Sequence, residues 1–521
     1  MSLLFLPFII LLSFYSLVHA EWIPVIPPAV PVYSRLTAVH FTSANEGWAV
    51  GTNLDNSIGW NGILLRYRNG SWSSITPPAV SADWGLAGVH FTSANEGWAV
   101  GREYLSDRGA LLHYLNGEWS SVTPPAVSAE WRLYGVHFTS ANEGWAVGFD
   151  QENYRGVLLH YLNGEWISVT PPTASSYWEL DGVHFTSANE GWAVGRDTEN
   201  GKRLLLRYAY GDWTLDTPPL YGKNLALYGV HATYATQGWA VGHDISGQQG
   251  ALVHLYGGWT EVDNPPAVSA NWELRGVHFT SIDEGWAVGT DFSNNRGVLL
   301  HCQDGWNWTS VAPPALGANW ELHGVYFTSA TEGWAVGRDN ADSRVVLLQY
   351  LAVSPNTGTI GTKLTLTGSD FGTKKGKVLI GGKTIKVISW DASSITCEIN
   401  KTLPLGPHDV VIQPKDPKNA LPINHSQAFT LIAPKVEEVR PFRGPVKTSV
   451  LLLGTFFGTK KGKVYLGDKR CKVLTWSMDE TTGESGILFI VPDKMPPRIY
   501  RLTVTNKMAS VTQTDGFTII P

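Results

Sequence analysis

The chain has 521 residues and a formal net charge of −6 at pH 7, with 45 acidic and 39 basic side chains, 54 glycines and only three cysteines. This length allows several domains with their own cores, and three dispersed cysteines exclude a disulfide framework. A slightly acidic chain also lacks the basic footprint of a nucleic-acid-binding protein, so we expect no nucleic-acid partner.

Residues 1–20 are predominantly apolar and end in Val18-His19-Ala20, a small-residue pattern typical of signal-peptide cleavage. The sequence therefore predicts a signal peptide cleaved after Ala20 and a secreted or extracytoplasmic protein, in the periplasm or at the cell surface. The alternative is an uncleaved anchor, because about 17 apolar residues reach the lower limit of a membrane span. After cleavage we expect no membrane span.

The next 330 or so residues are organised by one repeated phrase, which indicates a repeat architecture. VHFTSANEGWAVG occurs unchanged four times and in looser form three times, at spacings of 47 to 50 residues. The copies begin at Val39, Val89, Val136, Val183, Val230, Val277 and Val325.

Each copy contains four strand-length apolar runs separated by turn residues, which is typical of a β-propeller blade. The seventh copy lacks a fourth run, whereas EWIPVIPPAV at Glu21 matches the fourth run EWSSVTPPAV at Glu118. We therefore predict an all-β protein with a seven-bladed propeller over residues 21–352, closed by its N-terminal strand.

The chain changes character near Ser354 and Pro355. Residues 1–354 carry 16 basic and 32 acidic side chains, whereas residues 355–521 carry 23 and 13. The second part is a duplication, since FGTKKGKV begins at both Phe371 and Phe457. Short β-branched runs between glycine turns predict two small β-sandwiches, residues 353–433 and 434–521.

Both parts resemble known families. The P-x-x-G opening, the GTKLTLTGSDFG run and the GKVLIGG segment after Val353 are similar to IPT/TIG domains of the immunoglobulin-like fold, which implies a spacer or interaction module on secreted and surface proteins. The GWAVG repeat, with the Leu64-Leu65 pair and the NG-x-W step, resembles bacterial propellers that include photosystem II assembly and stability factors. The NG-x-W step is also similar to a degenerate Asp-box of sialidase-type propellers.

Little in the repeat predicts catalysis. A sialidase-like site needs an arginine cluster, a nucleophile pair and an acid from different blades, and nearly identical blades offer few unique residues. Arg102, Arg196 and Arg338 follow GWAVG in three copies, either as ligand contacts or as solvated loop residues. We find no Ser-His-Asp spacing and no phosphate loop, and we predict a protein that is not an enzyme and has no cofactor.

Histidine recurs at one position of the repeat. It is present in six copies and replaced by Tyr326 in the seventh, and the six residues are His40, His90, His137, His184, His231 and His278. We predict that these side chains pack between blades, because a ring as wide as a channel does not allow bonds of about 2 Å to one zinc ion. No metal site is predicted.

A set of tryptophans precedes the innermost strand of five copies, namely Trp84, Trp131, Trp178, Trp272 and Trp320. They fall on the same face as the loops between the second and third strands, where the copies differ most and where Asp150, Asp197 and Asp291 share a position. Aromatic rings beside polar loops suit sugar rings or protein hot spots. The alternative is packing between blades.

The sequence thus predicts an exported, non-enzymatic binding protein whose propeller face recognises glycans or extracytoplasmic proteins, with the two sandwiches as a stalk. One alternative is an assembly or stability factor for a membrane complex, and the other is a divergent glycosidase. The sequence makes no prediction of an oligomeric state.

Overall fold

The structure, a computed structural model, describes residues 19–55, 59–216, 224–262, 264–368, 371–415, 422–479 and 483–521. These residues form strands and turns with no α-helix, so the all-β prediction is confirmed for them. Consistent with this, no apolar helix in these ranges could cross a membrane. Residues 1–18 of the predicted signal peptide lie outside the described residues.

Six sheets each contain four consecutive antiparallel strands paired in chain order, and each sheet coincides with one copy of the repeat. The first three comprise β2 (Ser34–Ser43), β3 (Glu46–Asn53), β4 (Asn61–Arg68) and β5 (Ser71–Ile75); β6 (Trp84–Ser93), β7 (Glu96–Glu103), β8 (Arg108–Leu115) and β9 (Glu118–Val122); and β10 (Trp131–Ser140), β11 (Glu143–Asp150), β12 (Arg155–Leu162) and β13 (Glu165–Val169). The next three comprise β14 (Trp178–Ser187), β15 (Glu190–Asp197), β16 (Lys202–Ala209) and β17 (Asp212–Leu215); β18 (Leu225–Tyr234), β19 (Gln237–Asp244), β20 (Gln249–Tyr256) and β21 (Trp259–Glu261); and β22 (Trp272–Phe279), β23 (Gly285–Asp291), β24 (Arg296–Cys302) and β25 (Trp308–Val311).

The last copy is completed by the N-terminus. It supplies β26 (Trp320–Ser329), β27 (Glu332–Asp339) and β28 (Arg344–Ser354), and β1 (His19–Pro24) pairs with β28. The Val25 amide donates to the Leu347 carbonyl at 2.9 Å, and the Trp22 indole is buried edge-on against Trp286 and Phe327. The N-terminal strand therefore takes the position of the missing fourth strand.

Neighbouring sheets share their cores. The Trp98 indole of β7 stacks on Phe138 of the next sheet, with ring centroids 5.6 Å apart and an angle of 4° between the planes. Phe41 of the first copy stacks on Trp334 of the last at 5.8 Å and 8°. The chain of sheets is therefore closed into a ring, and no sheet buries its apolar face alone.

Residues 351–521, together with the described residues 19–21, form a second compact unit, distinct from Trp22–Tyr350. Its first part contains a mixed array in which the last residues of β28 pair with β30, in the order β30-β33-β32-β31-β34-β35-β29. These strands are β29 (Thr357–Gly358), β30 (Lys363–Thr367), β31 (Lys377–Ile380), β32 (Lys383–Trp390), β33 (Ser394–Glu398), β34 (Gly406–Gln413) and β35 (Ile423–Leu431).

The last part of the chain is a sandwich of two sheets, ordered β36-β38-β42-β41 and β37-β44-β43-β39-β40. The strands are β36 (Lys435–Arg440), β37 (Arg443–Gly444), β38 (Ser449–Thr455), β39 (Lys463–Leu466), β40 (Lys469–Arg470), β41 (Lys472–Met478), β42 (Glu484–Ile490), β43 (Ile499–Thr505) and β44 (Ser510–Ile519). The duplicated sequence folds alike in both parts. The Trp390 indole N–H donates to the Gly372 carbonyl at 3.0 Å, and that of Trp476 donates to the Gly458 carbonyl at 2.7 Å.

Candidate functional site

The recurring histidines and Tyr326 form a closed ring around the channel that the innermost strands enclose. Consecutive ring centroids are 4.2 to 4.6 Å apart all the way round, including the step from Tyr326 back to His40. Adjacent rings therefore contact each other directly, which is closer than the channel-wide separation expected from the sequence. In the described part of the chain, no group of three or more histidine, cysteine or carboxylate side chains is placed to hold a metal ion.

The ring is held in its neutral form. Burial, reinforced by other imidazoles of the ring, lowers the pKa of His40 to about 3. Burial also lowers the pKa of His184 to about 4 and that of His278 to about 3. The pKa values of the other three histidines also lie well below 6.5 for the same reason. An uncharged aromatic ring packs between blades but does not attract an anion.

Each innermost strand has a β-bulge at its fourth residue. In the pair β10 and β11, Leu133 is opposite Gly148 and Gly135 is opposite Val147, so Tyr134 has no partner in the ladder. The same irregularity occurs in every copy, and the bulge residues are Thr37, Ala87, Tyr134, Asp181, Tyr228, Arg275 and His323. A bulge changes the direction of a side chain, and it is a common feature beside binding sites.

All seven bulge residues line one cavity of about 510 Å³ at the end of the channel where the innermost strands begin. They comprise two tyrosines, a threonine, an alanine, an aspartate, an arginine and a histidine, whereas the Gly-Val-His that follows is nearly unchanged between copies. Nearly identical blades therefore do build an asymmetric site, because the bulge position is the one that varies. Glycine follows the bulge because a Cβ on Gly182 would lie only 2.8 Å from the Tyr228 carbonyl of the next blade.

Arginine dominates the charge of the cavity wall. Five arginines and two carboxylates line it, although residues 1–354 as a whole are strongly acidic. Three of the arginines have carboxylate partners: Arg102 pairs with Asp107, Arg196 with Glu179, and Arg275 with Glu273. Within the described residues Arg35 and Arg132 form no ion pair, and the Nε of each is buried without a hydrogen-bond partner.

Among the groups of the wall with shifted pKa values, Asp181 and Tyr228 bear directly on binding. Burial, together with the negative charge of Glu179, raises the pKa of the Asp181 carboxyl to about 8, so it is uncharged at neutral pH. No described donor lies within hydrogen-bonding distance of its Oδ2. Burial also raises the pKa of the Tyr228 phenol. The cavity therefore offers two unpaired guanidinium groups, a neutral carboxylic acid and phenol hydroxyls.

The comparison with protein families concerns the second unit. Residues 349–428 match the IPT/TIG domain family. The chain therefore contains an IPT/TIG domain. The second sandwich lies outside the matched residues. In the curated proteins, human fibrocystin-L is 30% identical over 136 residues, which are 24% of this chain and only 3% of fibrocystin-L.

Two solved structures match this chain with low TM-scores. The surface glycan-binding protein PbSGBP-B from Prevotella bryantii is 14% identical, with a TM-score of 0.17, over 30% of this chain and 36% of that protein. The plexin A4 extracellular region is 9% identical, with a TM-score of 0.24, over 93% of this chain and 92% of that protein. The described residues that line the cavity all lie between Arg35 and His323.

The five tryptophans predicted as a ligand face are instead buried. Each has only 1 to 2% of its surface exposed: Trp84, Trp131, Trp178, Trp272 and Trp320. The reason is a glycine in the third strand of the preceding blade. A Cβ on Gly109 would lie 2.3 Å from Cζ3 of Trp131, so the indole occupies the space that a side chain would fill.

The exceptions in the repeat support this explanation. Where Arg203 stands in place of the glycine, the tryptophan position of the next blade is Leu225, and where Val345 stands there it is Ser34. A larger residue in one blade is thus matched by a smaller one in the next. The tryptophans are part of the packing between blades, and the prediction of an exposed tryptophan face is corrected accordingly.

The three predicted aspartates are also structural. Asp150 and Asp291 are fully buried and Asp197 is 8% exposed, since each carboxylate caps the loop that follows it. Asp150 accepts hydrogen bonds from the Ser128 hydroxyl at 2.7 Å and from the Asn153 side chain at 2.8 Å. Burial alone would raise the pKa of Asp150, but these hydrogen bonds outweigh it and lower the pKa. Such carboxylates are not free to bind a ligand.

Only two of the three arginines predicted as ligand contacts lie in the cavity wall. Arg102 and Arg196 line the cavity, whereas Arg338 is not part of its lining. The other lining residues, above all Arg35, Arg132 and the bulge residues, are absent from the sequence prediction. A comparison of the seven innermost strands residue by residue would have shown them, because the second and fourth positions vary within an otherwise constant segment.

Proposed function

We propose that this is a non-enzymatic, extracytoplasmic binding protein that holds an acidic glycan in the propeller cavity, with the IPT/TIG domain and the second sandwich as a stalk. The observation that carries the proposal is the convergence of seven different bulge residues on one cavity in an otherwise repetitive ring. A rigid scaffold with variation confined to one place is how binding surfaces are usually built.

The charge and size of the cavity support an acidic ligand. Arg35 and Arg132 are unpaired cations, and the nearby Asp181 carries no charge at neutral pH to neutralise them. Guanidinium groups match carboxylates and sulfates in planar, bidentate geometry. The volume of about 510 Å³ lies in the range of small-ligand sites, roughly 300 to 1,000 Å³, and suits a short oligosaccharide end.

The cavity also provides partners for hydroxyl groups and ring faces. The Arg132 guanidinium lies 5.4 Å from the centroid of Tyr134 and 5.3 Å from that of Phe149, so its plane is held by two aromatic rings. The phenol groups of Tyr134 and Tyr228 can each donate and accept a hydrogen bond. A polyhydroxylated ligand with one anionic group satisfies both sets of partners.

Replacement of Arg132 is expected to weaken binding of acidic oligosaccharides about 10- to 100-fold, the effect of losing a charge-assisted hydrogen bond. The measurement is a glycan array that contains acidic oligosaccharides and their neutral counterparts, followed by calorimetric titration of the best ligand. Arg132→Ala and Arg35→Ala are compared with Arg68→Ala, whose side chain is 65% exposed and does not line the cavity. Equal binding by Arg132→Ala and Arg68→Ala would argue against the cavity as the site.

Binding is also expected to weaken as the pH rises through about 8. Below that pH Asp181 is protonated, and above it the carboxylate adds a negative charge beside an anionic ligand. The loss should be about tenfold between pH 7 and pH 9.5, from the repulsion of two partly buried charges. Titrations of wild type and Asp181→Asn over this range test it, because the asparagine variant should show no step near pH 8.

Hydrolysis of the same glycan is less well supported by the geometry. A glycosidase needs two carboxyl groups that face the substrate, one as acid and one as nucleophile or base. Asp181 has the raised pKa of an acid, but Glu179 is only 3% exposed and is paired with Arg196. We therefore expect bound oligosaccharides to remain intact on prolonged incubation, which mass spectrometry of the recovered ligand will establish.

A further inference from the structure

The fifth and sixth copies differ from the rest of the repeat at a second place on the propeller. Here the hairpin between the third and fourth strands of the fifth copy lies beside the same hairpin of the sixth. In the fifth copy, Gln237 replaces the glutamate that precedes Gly-Trp-Ala-Val-Gly in every other copy. In the sixth, five residues separate the paired Cys302 and Trp308, whereas four separate Tyr114 and Trp119 in the second copy. The longer hairpin contains Trp306, which has no counterpart elsewhere in the repeat.

Gln237 leaves a buried imidazole without its usual partner. In three other copies the equivalent histidine contacts the glutamate: His113 and Glu96 at 2.9 Å, His160 and Glu143 at 2.6 Å, and His301 and Glu284 at 2.5 Å. His254 is 95% buried, and its Nε2 has no hydrogen-bond partner among the described residues. A buried polar atom of this kind costs free energy unless a ligand or water satisfies it.

Two exposed aromatic rings lie beside this imidazole. Trp306 is 51% exposed and Tyr256 is 66% exposed. Their centroids are 5.1 Å apart with an angle of 65° between the planes, and the Trp306 ring centroid lies 4.4 Å from that of His254. Large exposed aromatic groups that meet in one place are typical of binding sites rather than of ordinary surface.

The hairpin holds Trp306 in place before any ligand arrives. The Asp304 carboxylate accepts hydrogen bonds from the Trp306 amide at 3.0 Å and from the Asn307 amide and side chain at 2.7 Å each. The Gly305 amide donates to the Asp283 carbonyl at 3.1 Å. An ordered loop reduces the entropy lost on binding, so an exposed ring on it is a preformed contact.

We propose that Trp306, Tyr256 and His254 form a second carbohydrate site, distinct from the cavity, that binds a neutral pyranose ring. The apolar C–H face of the sugar packs on the Trp306 indole and Tyr256 borders it. The His254 imidazole, whose Nε2 is closed to solvent, supports the indole from below, with 4.4 Å between the ring centroids. The ligand is neutral because no arginine or lysine in the described part of the chain contacts the three residues, and the nearby Asp304 carboxylate already accepts hydrogen bonds from its own hairpin. Burial alone, without a charged neighbour, lowers the pKa of His254 to about 4, so the imidazole is uncharged.

The test is calorimetric titration of the full chain with cellohexaose, xylohexaose and chitohexaose. Trp306→Ala is expected to weaken binding of the preferred oligosaccharide at least about tenfold, as loss of an aromatic hot spot does. Tyr210→Ala is the matched control, since Tyr210 is 97% exposed on the equivalent hairpin of the fourth copy, and it should bind as wild type does. Both side chains are exposed, so both variants should fold.

A second variant tests the role of the imidazole without touching the aromatic rings. Gln237→Glu restores the partner that the other copies use, so it should occupy Nε2 of His254, leave the unfolding temperature unchanged or higher, and leave binding by the exposed Trp306 and Tyr256 rings unchanged. Arg132→Ala should leave neutral-oligosaccharide binding unchanged, which separates this site from the cavity. The proposal is overturned if wild type binds none of the three oligosaccharides, or if Trp306→Ala binds as tightly as Tyr210→Ala.

Discussion

The temperature of unfolding of the propeller is expected to fall steeply as the pH is lowered from 7 to 4. The six ring histidines have folded-state pKa values far below the 6.5 of the unfolded chain, with His40 at about 3 and His184 at about 4. Between these values the unfolded state binds protons that the folded state does not, so stability is fully present above pH 6.5 and decreases as the pH falls.

The expected effect is large because six groups act together. A histidine with a folded pKa of about 3 loses about 2 kcal/mol of stabilisation at pH 5, since each pH unit corresponds to about 1.4 kcal/mol. His40, His184 and His278 together cost on the order of 6 kcal/mol, which is comparable to the whole stability of a typical domain, and the other three histidines act in the same direction. Protonation of one ring also makes protonation of its two neighbours harder, because their centroids are less than 5 Å away.

Scanning calorimetry at half-unit steps between pH 4 and pH 8 measures this dependence. The matched variant is His231→Tyr, because Tyr326 shows that the ring accepts a tyrosine at this position. With one titrating group fewer, the variant should show a shallower fall of the unfolding temperature below pH 6.5. An unfolding temperature that does not change between pH 7 and pH 4.5 would contradict a neutral ring.

Replacement of Trp131 by alanine is expected to destabilise the propeller by about 3 to 5 kcal/mol, the usual range for deleting a large buried aromatic side chain. The indole is 2% exposed and lies over Gly109 of the preceding blade, which has no side chain of its own to fill the space. Denaturant unfolding of the full chain, followed by near-ultraviolet circular dichroism, measures the shift of the propeller transition.

Trp306→Ala is the matched control for this measurement, since it removes the same side chain from an exposed position and should change stability by less than about 0.5 kcal/mol. Trp131→Ala should therefore lose stability, whereas Trp306→Ala should keep its stability and bind neutral oligosaccharides more weakly. If Trp131→Ala kept its stability and lost ligand binding, the indole would be a ligand contact after all.

The sequence was sufficient for the architecture because the signals there are periodic and local. The repeated phrase marks the sheets, and the match between the segments at Glu21 and Glu118 predicts the strand that completes the last sheet. The tryptophan position was ambiguous, because a ring at the start of a strand suits either a ligand or the neighbouring blade. Only the contact with a glycine more than twenty residues earlier, as between Gly109 and Trp131, decides it.

The cavity could not be predicted by the same approach. The residues that the copies share are the histidines of the ring and the tryptophans. The cavity is instead lined by positions at which the copies differ. The bulge that directs Tyr134 and Asp181 into the channel is a backbone irregularity, and no single residue type marks it. The pairing of Arg102 with Asp107, which leaves Arg35 and Arg132 as the unpaired cations, depends on side-chain placement that sequence spacing does not give.

The bulge has a consequence for how such a protein can change over time. Because a bulge residue has no partner in the ladder, its side chain can be exchanged without breaking a cross-strand backbone pair. Thr37 is an exception, since its hydroxyl also donates to the Leu86 carbonyl of the next blade at 3.0 Å. The residues that contact a ligand and the residues that form the core thus occupy different positions of the repeat. Each duplication of a blade adds one more bulge position that can contact a ligand. A gene library randomised at the seven bulge codons alone should contain many folded proteins with altered ligand preference, which makes this ring a suitable starting point for directed evolution.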